Sequence, residues 1–231
     1  MRDGRESYSR DNPSPRYREL LALYARMHRE GNTGRAKSPD ETYAGGSLRP
    51  HLPAIRALAR RTGAKSMLDY GSGKGKLYKQ RNLALANGEI IESVAGYLGV
   101  EKIACFDPGV PEYSTLPSEK FDGVVSTDVL EHCPEEDIPW IVGEMFGAAK
   151  KFVFANVASY PAEKTLPNGE NAHCTQRPPA WWSDLLRKIS ARHPDMIYRF
   201  EITEKHPGFL NKFRGRRWTM STVANFVDAL S

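Results

Sequence analysis

The chain has 231 residues, 40% of them hydrophobic, which suits one α/β domain with a sizeable core and an N-terminal extension and leaves too little for a second independent domain. No apolar run approaches the roughly 20 residues of a membrane helix, and the opening MRDGRESYSRDNPSPR has no apolar centre of the kind a secretory leader needs, so the expected location is the cytoplasm. The formal charge of +5 is only mildly basic, and Cys105, Cys133 and Cys174 form no C-x-x-C pair, so neither a zinc ribbon nor a cysteine-held cluster is expected.

Ser14 followed by Pro15 reads as an N-cap with proline at the first helical position. Leu20, Leu23, Tyr24 and Met27 then recur at helical spacing until Gly31 and Gly34. This helix belongs to an extension, residues 1–52, that precedes the main domain, residues 53–231. The stretch SPDETYAGGSLRP reads as a loop, and residues 53–61 as a helix closed by Gly63.

Strands are expected at residues 66–70, 102–107, 123–126 and 152–157, with helices between them, which implies a mostly parallel sheet covered on both faces. Between the last two, Ile138, Ile141, Val142, Met145, Phe146 and Ala149 share one helical face. The insertion after the first strand contains Ile90, Ile91, Val94, Ala95 and Leu98, again at helical spacing, with Gly88 separating them from an earlier helical turn. Trp182, Leu185, Leu186 and Ile189 mark a further helix, 196–203 a strand, and 217–220 its partner. Val223, Phe226, Val227 and Leu230 have helical spacing at the end.

The run LDYGSGKG, which follows an apolar strand, is the most informative. Glycines at 71, 73 and 75 let backbone turn sharply and approach a ligand, while free N–H groups of the next helix point into the same space. The dinucleotide pattern G-x-G-x-x-G fails at Lys76, and a Walker A loop fails at Leu68 and Gly75. The strand KIACFD ends in Asp107, where a carboxylate can accept from both hydroxyls of a ribose, or can simply start an Asp-Pro turn with Pro108. FDGVVSTDVLEHCPEED then sets Asp128, Glu131 and His132 at the end of a strand.

Together, acidic-x-Gly-x-Gly-x-Gly from Asp69 to Gly75, the strand-terminal Asp107, and FDGVV followed by Asp128-Val-Leu-Glu-His resemble the class I methyltransferases that use S-adenosylmethionine (SAM). The resemblance covers residues 66–186. It implies a Rossmann-like sheet with SAM as donor and S-adenosylhomocysteine as product. The cofactor is then expected against Asp69, Gly71, Ser72, Gly73 and Gly75, against Asp107 and Pro108, against Thr127 and Asp128, and beneath Tyr24. Only 14 residues separate Asp107 from Asp122, too few for the helix and strand the family normally carries there, so one strand is missing or vestigial. In its place Tyr113 or Leu116 could cover the adenine, or could pack on the surface.

His132, at a strand's carboxyl edge, and His173, in the loop LPNGENAHCTQRPPAWW, are the candidate catalytic residues, as base or as groups that orient the acceptor. Glu131 and His132 have an alternative reading as capping or buried hydrogen-bonding groups. Asn171, His173 and Trp181 are candidate substrate contacts, against a reading in which the tryptophans begin a core helix. Asp128, Glu131, His132 and His173 show no tight ligand spacing along the chain, so no metal is expected. The N-terminal helix would form a lid with Tyr24 and His28 facing the ligands and residues 43–47 as hinge.

The acceptor is expected to be a small hydroxylated or amine metabolite, such as a saccharide. STDV after the fourth strand is unlike the Asn-Pro-Pro-Tyr type loop of amino-methylating DNA enzymes, and Cys133 precedes Pro134 where a cytosine-C5 enzyme has Pro-Cys. The alternatives are an RNA or polyanion methyltransferase using Lys212, Arg214, Arg216 and Arg217, and a catalytically idle binding module. The sequence does not specify oligomeric state.

Overall fold

A computed structural model describes residues 8–31, 38, 45–206 and 217–226. Tyr43 and Ala44 of the expected hinge, Lys212, Arg214 and Arg216 of the basic cluster, and Val227 and Leu230 of the expected last helix lie outside the described residues.

Helix α1 (Pro15–Glu30) is capped by the Ser14 side chain, which accepts from the Tyr17 N–H. A 3₁₀ turn (Gly46–His51) leads into α2 (Leu52–Thr62). Then follow β1 (Ser66–Tyr70), the single turn α3 (Lys76–Lys79), a small hairpin of β2 (Leu83–Ala84) and β3 (Ile90–Ile91), α4 (Val94–Leu98) and β4 (Lys102–Phe106). The second half contains β5 (Phe121–Thr127), α5 (Ile138–Ala148), β6 (Ala149–Ser159), α6 (Pro179–Ser190), β7 (Ile197–His206) and β8 (Arg217–Ala224).

Six strands form one sheet in the order β4-β1-β5-β6-β7-β8. All neighbours are parallel except the β7–β8 pair. This is a Rossmann-like α/β sheet. The period of two along each central strand divides its side chains between two cores. Leu68, Val124, Val153 and Ala155 pack with α5 and α6 on one face, while Met67, Val125, Phe152 and Phe154 pack with α2 and α4 on the other. Strand β4 is the sheet's edge, and residues 108–120 hold only the 3₁₀ turn Pro111–Tyr113, so the strand expected to be missing is replaced by a loop. Leu48 and Leu52 are buried with α2 and so join the main core rather than an appended segment.

Two expectations are corrected. The helix proposed through Ile90 and Ile91 is cut back to Val94, because Gly88 in the left-handed region (φ +85) turns the chain into the β2–β3 hairpin and Ser93 caps the helix that follows. Turn chemistry overrides apolar spacing there. Val223 lies in β8 opposite Phe200, so pairing with a long neighbouring strand prevails over helical periodicity.

Helix α1 is fastened to α5 rather than appended loosely. The Ser14 N–H donates to Asp137 Oδ1 at 3.0 Å, its hydroxyl donates to Oδ2, and both residues are fully buried. Arg10 pairs with Glu144, which also accepts from the Tyr70 hydroxyl at 2.6 Å. Along its length α1 packs Leu20 and Met27 against Leu166 and Ala172 of the loop between β6 and α6.

Candidate active site

In an open α/β sheet, loops that leave adjacent strands in opposite directions open a crevice at the carboxyl ends. Here β1 lies between β4 and β5, and the loops after these three strands line one cleft. Its floor is Tyr70, Gly71, Ser72 and Gly73 after β1, Asp107, Pro108 and Gly109 after β4, and Thr127, Asp128 and Val129 after β5. Its roof is Tyr17, Leu20, Leu21, Tyr24 and His28 of α1.

The floor is assembled mainly from backbone. The N–H groups of Gly71 and Ser72 both donate to the Phe106 carbonyl, at 2.7 and 3.1 Å. The Gly73 N–H donates to Asp107 Oδ2 at 2.8 Å, and the Gly109 N–H to Oδ1 at 2.9 Å. The acid after β4 is thereby locked to the turn after β1. Gly71 has φ +87, and a Cβ there would lie 2.3 Å from Val129 Cγ2, so the two loops approach closer than any side chain at 71 allows.

Two expected cofactor residues stand apart from the cleft. Asp69 is buried beneath the turn and accepts from the Tyr78 hydroxyl at 2.7 Å; burial pushes its carboxyl up to about 7. Gly75 faces Cys105 and Tyr113 on the far side of the loop. Tyr113 and Leu116 also lie outside the cleft lining, and Leu116 packs on the core. Asn171 clamps its own loop, donating to the Ala162 carbonyl and accepting from the Ala162 and His173 N–H groups. Trp181 packs edge-on against Trp182 at the start of α6, which favours the core reading for both. The loop's own backbone has claimed the Asn171 side chain expected for a substrate.

The loop after β5 brings three functional groups together. Asp128 sits in the left-handed region (φ +61), and its N–H donates to Asn156 Oδ1 at 3.1 Å. Four residues on, His132 Nδ1 lies 2.8 Å from the Ala172 carbonyl and 2.9 Å from the Tyr24 hydroxyl, which itself donates to that carbonyl. His173 Nδ1 lies 2.6 Å from the Tyr160 carbonyl. A carbonyl can only accept, so each Nδ1 carries the hydrogen and each Nε2 keeps its lone pair. One donor atom each of Asp128, His132 and His173 lie within 4.8 Å of one another.

Burial lowers both imidazoles. His132 is pushed down to about 4, with the opposing pull of Asp128 and the added push of His173, and His173 shifts the same way. Both rings are neutral at pH 7. Glu131 is fully buried, its Oε1 accepts from the Ala158 N–H at 2.8 Å, and its carboxyl lies within hydrogen-bonding reach of Asp128. Burial first, and the charge of Asp128 second, hold its carboxyl well above the usual range. Its role is thus partly structural, as the alternative reading of the sequence allowed.

Sequence reasoning missed Tyr17, Leu21, Ser47, Val129 and Ile141 as cleft residues. Ser47 carries no motif, yet its hydroxyl reaches the Thr127 carbonyl at 3.2 Å. Val129 stands inside the Asp128-Val-Leu-Glu-His segment, while Tyr17, Leu21 and Ile141 carry no signal beyond periodicity.

No family model and no curated protein sequence matches the chain. Among solved structures it is similar to an O-methyltransferase family protein from Burkholderia thailandensis, at 12% identity and a TM-score of 0.49 over 91% of this chain and 67% of the other. It is likewise similar to the 1,6-didemethyltoxoflavin-N1-methyltransferase of the same organism, bound to 1,6-didemethyltoxoflavin and S-adenosylhomocysteine, at 13% identity and a TM-score of 0.49 over 91% and 90%.

Proposed function

We propose that the chain is a SAM-dependent methyltransferase acting on a small-molecule acceptor. The observation that carries this reading is the joint between the glycine turn after β1 and the acid after β4, Gly73 N–H to Asp107 Oδ2 at 2.8 Å, in one cleft at the strand ends. Bare backbone at Gly71 and Gly73 suits the close approach of a nucleoside-bearing ligand, and Asp107 retains lone pairs for ribose hydroxyls beyond the two N–H groups it already accepts.

SAM, when bound, supplies an activated methyl group, so the protein's task is positioning and exclusion of water. Leu20, Leu21, Tyr24 and Ile141 give the cleft apolar walls that close it from above and from the α5 side. Asp128 and His132 mark the polar end, where an acceptor atom would be held. A neutral imidazole ionising near 4 is a weak base at pH 7, which suits His132 to orienting a hydroxyl or amine more than to removing its proton. Helix α1 acts as the lid, with Tyr24 its contact to the acceptor end. No helix among the described residues is long and apolar enough to cross a membrane.

Calorimetric titration with S-adenosylhomocysteine tests the reading. The unaltered protein should bind, and Asp107→Ala should weaken binding by about 1–3 kcal/mol, the scale of lost charge-assisted hydrogen bonds. Gly73→Val, which puts a branched side chain at a left-handed residue (φ +55) on the cleft floor, should abolish it. Failure of the unaltered protein to bind would remove SAM from the assignment.

A further inference from the structure

Asp128, His132 and His173 have the composition and arrangement of a metal site that the spacing of their positions along the chain conceals. The two histidines are 41 positions apart in sequence, yet the fold brings a carboxylate oxygen and two ring nitrogens within 4.8 Å of one another. A bound transition-metal cation sits about 2 Å from each ligand, so donors at that spread need only side-chain rotation to close on it.

Three further features go with ligation. Each histidine gives its Nδ1–H to a backbone carbonyl, Ala172 for His132 and Tyr160 for His173, which is the outer contact that fixes a metal-binding imidazole's tautomer and leaves Nε2 as the ligand. Asp128 is held in an unusual left-handed conformation by the Asn156 side chain. Strain of this kind, on the order of 1 kcal/mol or more, clusters where a side chain must be aimed. Next to it, the fully buried Glu131 carboxyl lies within hydrogen-bonding reach of the Asp128 carboxylate, an outer contact of the kind that orients a ligand.

We propose that these three residues bind a divalent transition-metal cation at the acceptor end of the cleft. Two imidazoles and one carboxylate favour Zn²⁺, Mn²⁺ or Fe²⁺ over Mg²⁺ or Ca²⁺, which prefer all-oxygen sites. Three protein ligands leave coordination positions open. Asp128 and His132 also line the cleft, so those positions face the space where an acceptor would lie. The ion's chemistry selects an acceptor that presents oxygen, a hydroxyl or a pair of adjacent hydroxyls. This last step rests on the methyl-transfer reading; the ion site does not.

The test uses the full chain, stripped with a chelator and titrated with Zn²⁺ by calorimetry and with Co²⁺ followed by its visible d–d absorption. A single strong site is expected, with Mg²⁺ unable to compete. His173→Ala and the isosteric Asp128→Asn should each weaken it by at least about 10-fold, the lower bound known even for outer-sphere partners. Circular dichroism checks that both variants are folded, and Asp128→Asn serves alone if His173→Ala is not. Lack of a strong site in the unaltered protein, equal binding by a folded Asp128→Asn, or full competition by Mg²⁺ overturns the proposal. S-adenosylhomocysteine binding on the same samples separates the two readings: ion binding without it keeps the cation site and removes the methyl donor, and the reverse removes the cation.

Discussion

The floor and the roof of the cleft are built by opposite means. The floor consists of three strand ends whose backbone groups bond each other across short distances, as where Phe106 O accepts from both Gly71 and Ser72. The roof consists of side chains on α1, held by partners more than 100 residues away, such as Ser14 on Asp137 and Tyr24 on Ala172. Backbone joints tolerate almost no change of side-chain volume, whereas side-chain joints can be loosened one hydrogen bond at a time. The two regions should therefore fail differently.

The largest effect is expected at Gly71. Gly71→Ala forces a Cβ to within 2.3 Å of Val129 Cγ2 at φ +87, and left-handed strain plus overpacking should cost about 3 kcal/mol or more in urea unfolding. Adding Val129→Gly should recover the overpacking part and leave the strain. Recovery of nothing would mean that contact with Val129 is not what excludes a side chain at 71.

Next comes Asp69, also beneath the floor. Its folded-state pKa is raised to about 7, so between the unfolded carboxylate value and 7 the folded state holds a proton that the unfolded state lacks. Stability from this group is full at low pH and falls as pH rises toward 7. Asp69→Asn should thus stabilise the protein by up to about 4 kcal/mol at pH 8 and by little at pH 4. Thermal melts at the two pH values check the sign; a larger gain at pH 4 would refute it.

In the roof, Ser14→Ala removes both the N-cap of α1 and the hydroxyl bond to buried Asp137. A cost of about 1–2 kcal/mol is expected, and the signature should be local, with hydrogen exchange in α1 accelerating more than in β1 or β5. Uniform acceleration would place α1 within the same cooperative unit as the sheet. The smallest effect is expected for Tyr24→Phe, which removes one donor to the Ala172 carbonyl while the His132 Nδ1–H still serves it. About 0.5–1 kcal/mol of stability should be lost, with S-adenosylhomocysteine affinity nearly unchanged.

The same contrast explains what could be read from the sequence. The strand before Gly71, the Ser14-Pro15 helix start and the apolar face of α5 are written in neighbouring residues, and the structure places them where the pattern does, except that Ala149, expected on the helix, opens β6. Gly71, Ser72, Gly73, Asp107, Pro108, Thr127, Asp128 and Tyr24 all line one cleft. Asp69 and Gly75 do not, since a motif gives the order of residues but not the side of the turn each one faces. The meeting of Asp128, His132 and His173 was illegible for a different reason. It depends on how the loop after β6 folds back over the loop after β5, through the Thr175 N–H on the Glu131 carbonyl and the Thr175 hydroxyl on the Cys133 carbonyl. No local pattern encodes such a return. On the same loop the Asn171 side chain is bonded to the loop's own backbone, while Trp181, in the first turn of α6, packs against Trp182 and the core.

The fastening of α1 sets the order in which the molecule can assemble. It precedes its partners in the chain by a long way: Asp137 lies 123 positions after Ser14, and Ala172 lies 148 after Tyr24. A helix of 16 residues is marginal alone in water, and closing loops of this length precedes any return from the contacts they bring. On the ribosome, Leu20 and Met27 must wait in the open until Leu166 and Ala172 have emerged. During that interval they are a natural point of attachment for a chaperone, and the cleft acquires its roof only after the loop that follows β6 is in place.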